Sequence, residues 1–367
     1  MKTAKLDQRR IALMIPTLAG GGAERTYLNL AEGFQQAGYQ VDLILKRAAG
    51  EYLTQLPTSI NLVDLNASRM ALTLPGLIRY LRSRRPHVLL AGLELTHMIA
   101  LAAQSICGVP TKIIVTVHSV ISQSNSSYLP GRSLERQLMK LLYPRAGEIV
   151  SISRGTAQDF SNFLGFPLSG LTVIYNPIIT PALLENAQQA IQHPWFDEGQ
   201  PPVILSAGRL NPVKDFSMLI KAFALARQRT PLRLLILGEG EQRAELEDLV
   251  RQMGLQEDIS LPGFQQNPYG FMRRAAMLAL SSRHEAFGRV LIEAMACDCP
   301  VIATDCPGGV AELVHNGRYG HLVPVGDEAA MAQAILEVLG GDVRKPPPEW
   351  LSQFERNRVI QQYLDII

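Results

Sequence analysis

Two glutamates eight positions apart, Glu285 and Glu293, are the residues whose spacing says most about chemistry. Both lie in the run S-S-R-H-E-A-F-G-R-V-L-I-E-A-M-A, which covers residues 281–296. Eight residues overshoot two helical turns by roughly 80°, so one regular helix would not place both carboxylates on the same face. Gly288 indicates a different geometry, in which a loop carries Glu285 and a following helix carries Glu293 in its second turn.

The predicted strand Met277–Leu280 precedes this loop, and both carboxylates are expected near its carboxyl end. Backbone N–H groups at a helix start attract phosphate, and carboxylates accept hydrogen bonds from hydroxyls. This combination is typical of a site for a nucleotide-sugar. Ordinary helix capping produces the same local pattern, so the interpretation depends on the rest of the chain.

Composition sets the class of protein. A chain of 367 residues is too long for one compact core and predicts two domains. Its apolar content of 47% and charged content of 19% are typical of a soluble globular protein. The sequence has neither an apolar run of membrane-spanning length nor a signal peptide, so we expect a cytoplasmic protein.

Charge is distributed unevenly along the chain. Residues 1–178 contain 18 Lys and Arg against 10 Asp and Glu, a net charge of +8, and the remainder contains 17 against 23, a net charge of −6. A basic first half predicts an anionic partner. Two basic amphipathic segments, Leu77–Arg85 and Leu134–Arg145, fit either ordinary surface helices or contact with an anionic membrane.

The cysteines give no sign of a metal site. Cys297, Cys299 and Cys306 lack the C-x₂-C spacing and no histidine pair completes them, so we expect them to be buried apolar residues. All four cysteines, including Cys107, are expected to be reduced.

Both halves of the chain repeat a strand, a glycine-containing loop and a helix. The first opens with a strand over Arg10–Ile15 and a helix over Ala23–Gly38, and the second with a strand over Pro202–Ser206 and a helix over Phe216–Arg229. Further strands are predicted at Gln40–Leu45, Val88–Leu90, Lys112–Val117, Glu148–Ser151, Leu171–Ile174, Leu232–Leu237, Ile259–Leu261, Leu278–Ser281, Pro300–Ala303 and His321–Val323. Short apolar strands alternating with helices predict α/β domains with doubly wound parallel sheets, which bind ligands at the carboxyl ends of their strands.

Proline-containing breaks suggest where the domains end. The Asn-Pro and Thr-Pro pairs within Asn176–Leu183 give a first domain of residues 1–178 and a second of residues 179–348. Residues 349–367 follow a triple proline and are predicted to contain a terminal amphipathic helix over Trp350–Ile367, which we expect to pack back on the first domain.

At this point five segments, in order along the chain, resemble the retaining glycosyltransferases of family 4. The glutamate pair resembles that family's E-x₇-E motif. The other four segments are Gly20–Arg25, Thr116–Ser119, Ala207–Leu210 with Lys214, and Cys306–Val314. The resemblance covers residues 10–365 and implies the GT-B architecture, with two Rossmann-like domains facing each other across a cleft.

The resemblance also implies roles for individual residues. Glu285, His118, Arg209 and Lys214 are the implied catalytic residues, with His118 contacting the donor sugar. Arg209 and Lys214 would clamp the diphosphate through charge, and the sequence has no Asp-x-Asp motif, so no metal is predicted. The residues predicted to bind the nucleotide-sugar are Gly21, Gly22, Arg209, Lys214, Gly263, Phe264, Phe287, Gly288 and Glu293.

The functional hypothesis is a metal-independent, retaining glycosyltransferase of polysaccharide or glycolipid assembly. We expect a UDP-sugar donor, with GDP and ADP as alternatives, and no other cofactor or nucleic acid. The expected acceptor is a lipid-linked glycan at the inner membrane face, with a glycolipid or a soluble glycan as alternatives. Two other classes are a GT-B-like sugar-nucleotide epimerase and a non-enzymatic two-domain sugar-binding protein.

Overall fold

The computed structural model describes residues 7–123 and 132–367. Strands and helices alternate along these residues. The strands are β1 Asp7–Ile15, β2 Gln40–Leu45, β3 Asn61–Asp64, β4 Pro86–Gly92, β5 Lys112–Val117, β6 Glu148–Ser151, β7 Thr172–Val173, β8 Val203–Ala207, β9 Arg233–Leu237, β10 Ile259–Gly263, β11 Met277–Leu280, β12 Val301–Thr304 and β13 His321–Val323. The helices are α1 Gly22–Gln36, α2 Leu74–Arg84, α3 Glu94–Cys107, α4 Arg132–Leu142, α5 Arg154–Leu164, α6 Pro181–Ala187, α7 Phe216–Arg227, α8 Arg243–Gln252, α9 Tyr269–Arg274, α10 Arg289–Ala296, α11 Val310–Leu313, α12 Glu328–Leu339, α13 Pro348–Leu351 and α14 Arg356–Asp365.

The strands form two parallel sheets. The first has seven strands in the order β3-β2-β1-β4-β5-β6-β7, and the second has six in the order β10-β9-β8-β11-β12-β13. In the first sheet, Ile11 of β1 lies opposite Val41 of β2 on one side and Val88 of β4 on the other. The predicted doubly wound parallel sheets are confirmed, and every predicted strand is present with its ends moved by a few residues at most.

Alternate residues of the strands supply the cores on the two faces of a sheet. In β1, Ile11 and Leu13 join one buried cluster while Ala12 and Met14 join the other. This is why the predicted strands appear as continuous apolar runs.

Strand β3, which lies at an edge of the first sheet, has no counterpart among the predicted strands. Its side chains are mostly exposed, and Leu62 itself is 36% exposed. Strands are predicted from buried apolar runs, and β3 has no such run, so its sequence does not indicate a strand.

The chain forms two units, one of residues 1–178 with 354–367 and the other of residues 179–353. Within the first unit, α14 packs against α1. Arg356 donates from Nη1 to Glu32 Oε2 at 2.6 Å and from Nη2 to Gln36 Oε1 at 2.9 Å. Ile360 lies directly against Gly33, where a larger residue would leave no room for it.

The prediction of one terminal helix over Trp350–Ile367 is wrong. Helix α13 ends at Leu351, a short 3₁₀ turn covers Ser352–Phe354, and α14 begins at Arg356. The Trp350 indole donates to Leu313 O at 3.1 Å and so belongs to the second unit, which also holds the rest of residues 349–353. Phe354 is buried in the first unit, so the helix is broken where the chain returns to that unit.

Candidate active site

The predicted donor residues of the second unit lie at the carboxyl edge of its sheet. Arg209 and Lys214 are in the loop after β8, and Glu285 is in the loop after β11. Strand β8 lies between β9 and β11, so the loops that follow β8 and β11 leave the sheet side by side and turn in opposite directions. This is the switch point at which doubly wound sheets bind ligands.

Backbone and hydroxyl hydrogen bonds join these two loops. The N–H of Arg283 donates to Val213 O at 2.8 Å, and the Ser281 hydroxyl donates to Lys214 O at 2.7 Å. The position of Lys214 is therefore fixed relative to the loop that carries Glu285.

The backbone of Glu285 is also tied to the loop after β12. Its N–H donates to Pro307 O at 3.0 Å, and its carbonyl accepts from the N–H of Gly309 at 3.0 Å. Glu285 and Gly308 thereby form a parallel β-bridge. The segment Cys306–Val314, which the sequence singled out separately, holds the glutamate at both of its backbone groups.

The Glu285 carboxylate has two side-chain partners. The Lys214 ammonium forms an ion pair with Oε1, and the Ser282 hydroxyl donates to the same oxygen at 2.9 Å. The Lys214 and Glu285 side chains are 21% and 14% exposed, so solvent screens this pair only partly. Ser282 is not among the predicted site residues, and its one signal is its place two residues after β11.

Arg209 differs from Lys214 in its surroundings. Its side chain is exposed, and no residue of the described ranges forms an ion pair or a side-chain hydrogen bond with its guanidinium. An exposed guanidinium beside the carboxyl edge can fork onto two phosphate oxygens.

Glu293 has a separate partner. Helix α10 begins at Arg289, directly after Gly288, whose φ of 87° is left-handed, and Glu293 lies in the second turn as predicted. Arg289 donates from Nη2 to Glu293 Oε1 at 2.9 Å, and the two side chains are 12% and 13% exposed. Arg289 is not among the predicted site residues, although its i, i+4 spacing to Glu293 is a usable signal.

Of the two phenylalanines predicted to bind the donor, one side chain is exposed and the other is buried. Gly263 ends β10 at the same carboxyl edge and accepts from the N–H of Gly238 at 3.0 Å, and Phe264 beside it is 48% exposed. Phe287 is only 3% exposed, so its ring belongs to the core and only its backbone can reach a ligand.

In the first unit, Gly21 and Gly22 form the start of α1. Gly21 is the N-cap without a side-chain cap, and the Glu24 carboxylate lies so close to it that a β-carbon there would displace the carboxylate. The Arg25 guanidinium covers the Tyr52 ring, 4.0 Å from its centroid. The start of this helix therefore presents backbone amides, a carboxylate and a guanidinium together.

His118 follows β5 and lies on a polar network. Its Nε2 is 3.0 Å from Thr116 Oγ1, and its ring centroid is 5.7 Å from that of Tyr27. Behind Thr116, burial and then the charge of His118 lower the pKa of His97 to about 3. His118 is a predicted site residue, whereas Tyr27 and His97, which support it through Thr116, are not among the predicted residues.

The cysteines are free, and Cys297, Cys299 and Cys306 are buried as expected, whereas Cys107 is half-buried. Burial, and after it the charge of Glu285, raises the pKa of the Cys306 thiol to about 12. The thiols of this region are therefore neutral.

Among the described residues, one group of histidine and acidic side chains is close enough to share a metal ion, and it comprises His321, Glu337 and Asp342. His321 begins β13, at the amino end of the sheet. Hydrogen bonds from Arg344 hold the pKa of the Asp342 carboxyl below its usual range. This group is separate from the loops at the carboxyl edge.

Comparisons with known proteins identify the family. The profile described as Glycosyltransferase Family 4 matches residues 20–180, and the profile described as Glycosyl transferases group 1 matches residues 188–353. A Campylobacter jejuni protein, N-acetylgalactosamine-N,N'-diacetylbacillosaminyl-diphospho-undecaprenol 4-alpha-N-acetylgalactosaminyltransferase, is 31% identical over 351 residues, which cover 91% of each chain. The chain belongs to glycosyltransferase family 4. A second Campylobacter jejuni relative, an α-1,4-N-acetyl-D-galactosaminyltransferase named for a diNAcBac-PP-undecaprenol glycan, is 26% identical over 379 residues and 98% of each chain.

Solved structures confirm the GT-B fold of this family 4 glycosyltransferase. Anabaena HepE in complex with UDP and glucose has a TM-score of 0.78 at 20% identity, and the alignment covers 97% of this chain and 98% of HepE. A glycosyltransferase from Rickettsia africae has a TM-score of 0.77 at 19% identity, with 98% of each chain covered. Because the family profiles and the Campylobacter jejuni relatives are glycosyltransferases, the epimerase and the non-enzymatic sugar-binding protein are not favoured.

Proposed function

We propose that this enzyme is a retaining, metal-independent transferase that moves a sugar from a UDP-sugar to a lipid-linked glycan during polysaccharide or glycolipid assembly. The observation that carries the proposal is the ion pair of Lys214 with Glu285, beside the exposed Arg209, at the switch point of the second sheet. Both Campylobacter jejuni relatives are named for undecaprenol-linked acceptors, and HepE was crystallised with UDP. The UDP bound to HepE supports a UDP-sugar donor, and the names of the two relatives support a lipid-linked acceptor.

In this proposal Arg209 and Lys214 hold the diphosphate of the donor. When the bond between the anomeric carbon and the phosphate oxygen breaks, its electron pair stays on the leaving diphosphate. The two cations stabilise that developing charge beside the partly buried pair of Lys214 and Glu285. They supply the charge that a divalent ion supplies in other transferases.

Lys214 has two partners in this proposal, the Glu285 carboxylate in the free enzyme and the diphosphate in the donor complex. A diphosphate competes with the Glu285 carboxylate for the ammonium, and the Ser282 hydroxyl continues to orient the carboxylate through Oε1. Glu285 then accepts a hydrogen bond from a hydroxyl of the transferred sugar. Donor binding thereby releases the Glu285 carboxylate from Lys214, so that it can accept a hydrogen bond from the sugar.

We assign the nucleoside to the residues that surround Glu293. Arg289 fixes the Glu293 carboxylate, which accepts hydrogen bonds from the ribose hydroxyls. The exposed ring of Phe264, beside Gly263, offers a surface for the base. Backbone amides of Phe287 and Gly288, at the start of α10, face the phosphates in this assignment.

In this proposal the first unit holds the acceptor near Gly20–Arg25. Gly21 and Gly22 also bind the nucleotide-sugar, and His118 contacts the transferred sugar. An anionic diphosphate-linked lipid matches the net charge of +8 carried by residues 1–178.

The outer face of α4 supports contact with an anionic membrane surface. Leu134 and Leu141 are 44% and 59% exposed, and Arg136 and Lys140 are exposed beside them. On α2, by contrast, Leu77 and Leu81 are buried, and its exposed residues are Pro75, Ser83 and three arginines, with no leucine among them. Within the described ranges no helix is long and apolar enough to span a bilayer. We propose peripheral binding at the cytoplasmic face, with α4 as the contact.

A transfer assay tests the proposal. The purified enzyme, in buffer with EDTA, is mixed with radiolabelled UDP-, GDP- and ADP-sugars and a bacterial lipid extract that contains undecaprenyl-linked glycans. We expect label to move from a UDP-sugar into the lipid fraction, and NMR of the product to show the anomeric configuration of the donor. A product of inverted configuration would refute the retaining mechanism, and loss of activity in EDTA would refute metal independence. Transfer from GDP- or ADP-sugars alone would refute the UDP-sugar donor. Release of free UDP with an isomerised sugar would indicate an epimerase. Glu285→Gln is the inactive control.

A further inference from the structure

The hydroxyl of Thr116 lies at the centre of the network below His118. Thr116 is fully buried at the end of β5. Its Oγ1 is 3.1 Å from Ala91 O, 2.7 Å from the Tyr27 hydroxyl and 3.0 Å from His118 Nε2. A hydroxyl has one proton to donate and two lone pairs to accept with, so three contacts leave it one consistent arrangement.

The carbonyl of Ala91 decides that arrangement. A carbonyl oxygen only accepts, so the Thr116 hydroxyl donates its proton to Ala91 O. Both lone pairs of Oγ1 must then accept, one from the Tyr27 hydroxyl and one from His118 Nε2–H. The other tautomer of His118 would place a nitrogen lone pair against the oxygen lone pair of Thr116.

The backbone of Thr116 is held from behind by His97. His97 is buried, and its Nε2 donates to Thr116 O at 3.0 Å while its Nδ1 accepts from the Tyr143 hydroxyl at 2.8 Å. The depressed pKa of His97 keeps this ring neutral, so the direction of these bonds does not change near neutral pH. Thr116 is thus fixed through both its carbonyl and its hydroxyl.

We propose that Thr116 is a positioning residue that selects the Nε2–H tautomer of His118, so that Nδ1 is the acceptor nitrogen of the neutral ring. An acceptor nitrogen matches a sugar hydroxyl as the hydrogen-bond donor. The link to sugar binding rests on the proposed function, whereas the tautomer is a property of the first unit alone.

The tautomer is measured directly by long-range ¹H–¹⁵N NMR of the full chain with ¹⁵N-labelled histidine, at about pH 8.5, where imidazoles are neutral. The His118 signals are assigned by their loss in His118→Gln. We expect the protonated nitrogen to be Nε2 in the wild type and in Thr116→Ser, and to be Nε2 only in part of the molecules in Thr116→Val. An Nδ1–H ring in the wild type, or unchanged signals in Thr116→Val, would overturn the proposal.

Tyr27→Phe is the matched control, because it removes another hydrogen bond to the same hydroxyl and leaves the His118 contact in place. We expect it to keep the Nε2–H tautomer. A shift of the tautomer in Tyr27→Phe equal to that in Thr116→Val would mean that packing, and not Thr116, selects it, and would also overturn the proposal. Circular dichroism establishes that each variant is folded.

Kinetics connect the tautomer to transfer. Thr116→Val should lower kcat/KM roughly tenfold, the effect of about one hydrogen bond, with Thr116→Ser restoring most of it. Full activity in Thr116→Val despite a mixed tautomer would contradict the link to sugar binding. If His118→Gln kept full activity, the proposed function would lose its assignment of His118, while the NMR result would still decide the tautomer.

Discussion

At the scale of single residues, the site of the second unit depends on how charges are paired. Glu285 shares Oε1 between an ammonium and a hydroxyl, whereas Glu293 is paired with a guanidinium one turn before it in α10. Because the two carboxylates have different partners, we expect substitution of Glu285 and substitution of Glu293 to affect different kinetic and binding properties.

The cations should be needed for turnover. Arg209→Ala and Lys214→Ala should each lower kcat by roughly 10²-fold, because each removes charge from a developing anion. Arg251→Ala is the control, since Arg251 is a 58% exposed arginine of the same unit that pairs with Asp248. Steady-state kinetics measure kcat of each variant. Full activity in Arg209→Ala would contradict the proposal that Arg209 holds the diphosphate.

The two glutamates should separate catalysis from nucleotide binding. Glu285→Gln should reduce turnover strongly while UDP still binds, and Glu293→Gln should weaken UDP binding, since ribose hydroxyls would lose a charged acceptor. Calorimetric titration with UDP measures the second effect. The opposite pattern would exchange the two assignments.

His97 should make the first unit sensitive to acid. The unfolded chain binds the imidazole proton near pH 6.5, whereas the folded chain binds it only near a pKa of about 3, so stability falls as the pH drops through this window. Between pH 6.5 and 5 the loss from this group should approach about 2 kcal/mol. Urea unfolding of the wild type and of His97→Gln measures it. Equal pH dependence in both would contradict the assignment.

At the scale of elements, the start of α10 depends on Gly288. Its φ of 87° disfavours any side chain, and a β-carbon there would lie 3.4 Å from both Leu291 Cδ1 and Val310 Cγ2. The loop that carries Glu285 and the helix that carries Glu293 meet at this residue, so its conformation sets the relation of the two carboxylates.

Gly288→Ala should therefore lower both stability and activity. We expect a loss of about 1 kcal/mol from the left-handed backbone, with a fall in kcat/KM. Gly254→Ala is the matched control, because Gly254 has a φ of 69° and open space around it. It should lose similar stability in urea unfolding and keep full activity. Equal activity in the two variants would show that the start of α10 is not part of the site.

At the scale of the whole molecule, charge singles out the first unit. Its α4 carries exposed leucines and basic residues, while the second unit belongs to the acidic part of the chain. This asymmetry is what a peripheral membrane protein needs in order to bind with one defined face.

Vesicle co-sedimentation tests that face. The wild type should bind vesicles with anionic lipid at low salt and release at high salt, because each basic residue near the surface contributes about 1 kcal/mol that salt screens. Arg136→Glu/Lys140→Glu should lose most binding, whereas Arg229→Glu/Arg251→Glu, in the second unit, should not. Equal binding to neutral vesicles, or equal loss in both variants, would remove α4 from the proposal.

The sequence by itself determined the two parallel sheets, the order of most strands along the chain and the segments that meet at the carboxyl edge. Those features follow from apolar runs and from glycines at fixed places, which act locally. It did not reveal β3 or the break between Leu351 and Arg356, because an exposed edge strand has no apolar run and the break depends on contacts with residues far away in the chain.

Only the tertiary structure decided which polar groups are partners. The pairing of Lys214 with Glu285 joins residues 71 positions apart, and that of Tyr27 with Thr116 joins residues 89 apart. No local periodicity encodes such a pair, because it forms only when the sheet brings the ends of separate strands together. The sequence supplied the reactive groups, and the order of strands in each sheet decided which of them meet.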